Sequence, residues 1–250
     1  MRGSQGPGFD SFIDWLQFAY PGADDQNKIL VSTFEGIKSV TQQSLLEFYH
    51  KYYTPERTTL IIAGDFNSER VKKTIQKQFS DWNADENSDT FKLGDLEVRT
   101  DITAHAFVSK DLNSSISINM ITPSKSNLDN QQTRFEDQLT YLANSTLSIR
   151  LNDIAINSHN IMTQASAYQE RSVLANISSV SSYIDAERWP KALEFLEQTL
   201  RQTLEFGFTQ KELDRLLTSV EADLKTAVKA EETTPNSVVA DLVTQSVEDR

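Results

Sequence analysis

Thr58-Thr59-Leu60-Ile61-Ile62-Ala63 is β-branched and apolar on both faces, and Gly64-Asp65 closes it. A short run of that kind predicts a strand buried on both sides, with helices covering the sheet it joins. Its flanks agree. Thr41 caps a helix running to about residue 53, with Leu45, Phe48, Tyr49 and Tyr52 at helical spacing. Pro55 stops that helix, because proline has no N–H to donate. Ser68 is the expected cap of the next helix, whose face is Val71, Ile75 and Phe79, continued by Trp82.

The rest of the chain repeats this alternation at larger scale. Residues 9–20 form an amphipathic stretch ended by Pro21-Gly22, and 23–33 read as a loop. Residues 83–90 are polar and acidic with almost nothing to bury, which sets a domain boundary near residue 95. Two domains follow, 1–95 and 96–250. In the second, strands are expected at 104–109 and 115–122, then a helix over 131–156. Strand-like runs at 163–170 and 174–184 suggest a hairpin joined near Arg171-Ser172. Helices follow over 186–205 and 210–229. Gly207 stops the first, Thr209 caps the second, and Glu212 holds the capping-box position. Residues 237–250 complete the pattern as a helix carrying Val238, Val239, Leu242 and Val243. The expected fold class is α+β, with antiparallel or mixed sheets covered by helices.

Charge narrows the function classes. The chain has 36 acidic and 24 basic residues, a formal net charge of -12, so its long-range field repels nucleic acid and anionic membranes. No apolar run approaches a membrane span, and Met1 to Gly8 is followed by no hydrophobic stretch of the signal-peptide kind. The absence of cysteine removes disulfides, thiolate nucleophiles and cysteine zinc sites together.

Several segments reach past generic patterning. Phe48-Tyr49-His50-Lys51-Tyr52-Tyr53-Thr54-Pro55 ends a helix, a short turn follows, and the apolar strand closes in Gly64-Asp65. Leu147-Ser148-Ile149-Arg150-Leu151-Asn152-Asp153-Ile154 forms a Leu-x-x-Arg-Leu-x-x-Ile stretch, and Gly207-Phe208-Thr209-Gln210-Lys211-Glu212-Leu213 a Gly-Phe-Thr-x-x-Glu-Leu helix start. In order and spacing from about residue 30 to 230, these resemble the pitrilysin/insulinase family of zinc metallopeptidases. Trp15-Leu16-Gln17-Phe18-Ala19-Tyr20-Pro21-Gly22 leans toward its bacterial periplasmic branch. Phe48, Tyr49, Tyr53, Pro55, Gly64 and Asp65 are signature positions with structural roles, the tyrosines being expected to cap a core.

The resemblance implies an inverted zinc motif, His-x-x-Glu-His, in which two histidines and a distant glutamate bind the metal. This chain has only His50, His105 and His159, far apart and in no such arrangement. No catalytic or metal-binding position is assigned to it, and no cofactor; zinc belongs to the parent enzyme. The resemblance further implies parts of two related peptidase-like domains: the C-terminal part of the first, and most of a second, structural one that walls a substrate chamber. The expected partners are the rest of a parent chain or a catalytic partner subunit, with peptide substrate reached through the parent. The rival is a family member without a zinc site, acting as scaffold or partner subunit.

Overall fold

Polar side chains recurring every fourth residue in the longest helix settle how the larger part of this molecule is built. The structure is a computed structural model that describes residues 6–21, 34–83, 101–124, 130–171 and 175–248. In chain order the first elements are α1 (Pro7–Ala19), α2 (Phe34–Ser39), α3 (Gln42–Tyr52) and α4 (Ser68–Phe79). Then come β1 (Ser115–Pro123), α5 (Gln131–Asn157), β2 (Met162–Arg171) and β3 (Ala175–Ile184). Helices α6 (Trp189–Phe206), α7 (Gln210–Ala230) and α8 (Asn236–Glu248) complete the order. The chain divides into two compact units, Met1–Ala23 with Asp95–Glu231, and Asp24–Gly94 with Glu232–Arg250.

In the first unit the described strands form one antiparallel sheet in the order β1-β3-β2. Strand alternation puts Ile116 and Ile118, Val180, and Ala165 and Ala167 on one face. Leu147, Leu151 and Ala155 of α5 and Ala192 and Leu196 of α6 complete that core, with Leu151, Ala192 and Leu196 fully buried. The alanines of β2 are small enough to let α5 approach the strand closely.

That approach covers a sheet edge. Residues 164, 166 and 168 pair with β3, so Ala165 and Ala167 turn their N–H and C=O groups outward. Asn152 receives the Ala165 N–H at 3.2 Å and donates its amide to the Ala165 carbonyl. One turn earlier, the Ser148 hydroxyl receives the Ala167 N–H at 2.8 Å and lies 3.0 Å from the Ala167 carbonyl. Two side chains at i and i+4 thus replace a neighbouring strand. The helix then ends at Ser158, and the chain reverses through His159 and Asn160, both at positive φ. Arg188 donates to the carbonyls of both residues and so fixes the reversal.

In the second unit, α3 carries a capping box between Thr41 and Ser44, and Pro55 opens a single 3-10 turn after the helix has stopped. Gly64 has φ 156°, a conformation side-chain-bearing residues rarely adopt, and Asp65 beside it is exposed. Val71, Ile75 and Trp82 are half-buried on a common side, whereas Phe79, in contact with Trp82, is more exposed.

Five local expectations are corrected. Residues 58–63 lie in no sheet, and Leu60 and Ile62 are 52% and 45% exposed, because no strand among the described residues lies beside them. Residues 104–109 are likewise outside the sheet, and all but Ser109 are exposed. The cap of α4 is Asn67, whose side chain receives the Arg70 N–H at 2.9 Å, and Ser68 is the first helical residue. The tyrosines of α3 and its cap do not cap a core among the described residues: Tyr49 and Tyr53 are exposed and stacked on each other, and half-buried Tyr52 lies tilted against exposed Phe48. Further on, residues 186–188 form a 3-10 turn before α6 begins. The loop at 23–33, the linker over 84–90, Ser172 of the hairpin joint and residues 249–250 lie outside the described residues.

Asn152→Ala should expose the consequence of uncovering the edge. Leaving the outward groups of Ala165 without partners should cost about 1–3 kcal/mol, read as a lowered urea midpoint. Ser148→Ala should act in the same direction through Ala167.

Candidate functional site

Two sequence motifs separated by more than fifty residues meet in the first unit. Arg150, from the Leu-x-x-Arg-Leu stretch, donates from Nε to Glu212 Oε1 at 2.6 Å and from Nη2 to Oε2 at 2.7 Å. The same guanidinium donates to Thr203 Oγ1 at 2.8 Å and to the Gly207 carbonyl at 3.0 Å. It lies 5.1 Å from the centre of the Phe208 ring. Glu212 also receives the Thr209 N–H at 2.8 Å, while Thr209 Oγ1 receives the Glu212 N–H, so one carboxylate serves both the capping box and the ion pair. The Gly-Phe-Thr-x-x-Glu segment therefore wraps one arginine, fixing the α6–α7 turn onto α5. Arg150 holds the Glu212 carboxyl down at about 2, with the Thr209 N–H adding to the effect. Glu212 in turn raises the Arg150 guanidinium above its usual value. This clasp positions helices. Its groups are consumed by one another and leave no free acid or base.

The histidines do not make a metal centre. His105 meets Asp14 and stacks on Phe18 of α1, with ring centroids 4.7 Å apart. His159 occupies the reversal after α5, and His50 sits on α3 in the other unit beside Tyr49. No group of three potential metal-ligating side chains occurs among the described residues. What the chain offers does not fit the family's two-histidine, one-glutamate zinc site.

The feature able to bind something lies where α5 stops covering β2. By the same alternation Gln169 and Arg171 also turn their backbone groups outward. The next residues back along α5 are Asn144, Tyr141 and Asp137, and none of them bonds the Gln169 backbone among the described residues. A groove of about 460 Å³ opens there, lined by Asp137, Tyr141, Asn144, Tyr168, Gln169 and Arg171. Arg171 pairs with Asp137 across it at 2.5 Å. A free strand edge beside a polar groove with two tyrosines can accept an extended peptide as an added strand. Sequence reasoning missed this site. The one signal for it was Ser148 and Asn152 recurring at i and i+4 beside the apolar stripe of α5, with polar residues continuing toward its N-terminus.

Residues 39–220 match the peptidase M16 inactive domain. The chain belongs to the M16 peptidases, the pitrilysin/insulinase family, through that domain. No curated protein matches the sequence. Among solved structures, the first half of the periplasmic protease PqqL from Escherichia coli superposes with TM-score 0.77 at 17% identity, covering 99% of this chain and 53% of that one. The ferredoxin protease FusC, solved with Arabidopsis ferredoxin, gives 0.75 at 14% identity, covering 100% of this chain and 28% of that one. A predicted insulinase family protease from Yersinia pestis gives 0.64 at 16%, covering 94% and 50%. The chain thus spans about half, or less, of the proteins it resembles, and at these identities the likeness is one of fold.

The clasp predicts acid lability with a definite sign. Glu212 has a folded pKa below its usual 4.5, so its contribution is fully present above about pH 4.5 and is lost as pH falls toward 2. Arg150→Met should cost about 2 kcal/mol at neutral pH and should flatten that acid limb in pH-dependent urea unfolding.

Proposed function

We propose that this chain is part of a zinc-dependent metalloendopeptidase whose zinc and catalytic residues lie outside it, and that its own role is to wall the chamber that receives peptide substrate. The observation that carries the reading is the match to an inactive peptidase domain in a sequence with no His-x-x-Glu-His motif. The parent hydrolyses peptide bonds, and the periplasmic origin of PqqL supports a periplasmic setting. The groove beside Gln169 is where this wall touches substrate: an extended peptide binds the free N–H and C=O groups of β2 as an added strand.

The apolar segment at 58–63, paired with no strand among the described residues, supports a partner. Leu60 and Ile62 are exposed, and so are Leu45, Phe48, Tyr49 and Phe66 of the same unit. A surface of that kind calls for a covering layer, which the rest of a parent chain supplies. In the second reading, a zinc-free scaffold of the same family, a catalytic partner subunit supplies it. The same exposed surface favours both, and the presence or absence of a His-x-x-Glu-His sequence upstream in the parent gene separates them.

Metal analysis of the purified chain after dialysis against zinc tests the main reading. Zinc far below stoichiometric, with no hydrolysis of unfolded peptide, is expected; near-stoichiometric tight binding would overturn it. Gln169→Pro removes the outward N–H without touching the ladder to β3. It should weaken binding of a fluorescent unfolded peptide about tenfold or more, while the urea midpoint stays close to that of the unaltered chain.

A further inference from the structure

The other edge of the sheet is covered by no strand among the described residues, and a segment able to cover it precedes it directly in sequence. Ser114 accepts the Ile184 N–H at 2.9 Å, so residues 116, 118, 120 and 122 pair with β3. Ser115, Ser117, Asn119 and Ile121 therefore present their backbone groups on the outer edge of β1. No charged residue interrupts β1, so the edge lacks the usual lysine guard against strand addition. Immediately before it, residues 101–108 are all exposed, with Ile102 and Val108 at 104% and 91%. Apolar, β-branched and aromatic residues held in water with no sheet partner form an unfavourable arrangement unless something holds it. What holds it is α1: His105 pairs with Asp14 and stacks on Phe18. Leu16, Ala19 and Tyr20 of that region are buried.

We propose that residues 101–109 are a strap with two seats, held on α1 through His105 and able to close onto the open edge of β1 as a fourth strand. With residues 110–113 as the connecting loop, a hairpin register sets Val108 opposite Ser115, Ala106 opposite Ser117 and Ala104 opposite Asn119. The same register carries Phe107 beside Ile116 and His105 beside Ile118, on the face that already holds the core. Both seats use His105, so closing the strap requires release from Asp14 and Phe18. In the open seat the β1 edge is free for a strand from elsewhere; in the closed seat it is blocked. The strap thus regulates access to that edge, independently of where zinc resides.

Amide hydrogen exchange on the full chain tests this directly. In the unaltered protein, the Ser115, Ser117, Asn119 and Ile121 amides should exchange quickly, while those of β3 stay protected. In the Asp14→Ala, Phe18→Ala double variant the four edge amides should slow about tenfold or more, with β3 protection unchanged as the sign of an intact fold. A synthetic peptide of residues 101–109 added to a variant with Ile102 and Val108 changed to Asp should protect the same amides in trans. Edge amides protected from the outset would mean the strap is already closed and would overturn the latch. Fast exchange in the double variant, or no protection by the peptide, would overturn the second seat.

Discussion

The contact on which the larger unit depends is the lateral pairing of a helix with a strand edge. A β-strand at the border of a three-stranded sheet carries a row of unsatisfied backbone groups, and burying them bare is costly. Ser148 and Asn152 remove that cost for Ala165 and Ala167, which lets α5 lie against β2 while Leu147, Leu151 and Ala155 enter the core. The small side chains on β2 and the polar pair on α5 are one solution seen from two elements. Neither works alone: larger residues at 165 and 167 would hold the helix away, and apolar residues at 148 and 152 would strand the backbone.

From that contact the rest follows in order. With α5 fixed, Arg150 on it reaches the turn between α6 and α7, where Glu212 has already been oriented by the Thr209 cap. The bidentate geometry favours one approach of the guanidinium, so the clasp sets the direction of α7 as well as its attachment. The groove beside Gln169 exists because the helix-to-edge pairing ends at Ser148. Beyond it, β2 remains a strand whose outward backbone groups at Gln169 meet no partner among the described residues.

Much of this was legible in the sequence for a physical reason that differs by element. The long helix, the hairpin strands and the last three helices were readable because each carries its own periodicity and its own stop or cap, as at Gly207, Thr209 and Glu212. The family was readable because ordered motifs survive where overall identity does not. The strands at 58–63 and 104–109 were misjudged for one shared reason. Composition reports that a segment suits a sheet, but pairing requires a neighbour, and no described residue supplies one. The tyrosines of α3 failed in the same way: an aromatic face was visible, but not the layer meant to cover it.

The sequence by itself determined the class of fold, the ends of most helices, the family, and the absence of a zinc motif. Those are properties of residue type and near spacing, with energies decided within a turn or two of chain. Only the tertiary structure decided that Arg150 and Glu212 are partners, that Ser148 and Asn152 stand in for a strand, and that Gln169 lies at an open edge. These depend on which faces meet after the core has formed. Hydrogen-bond direction, unlike hydrophobic burial, is lost with an error of an ångström.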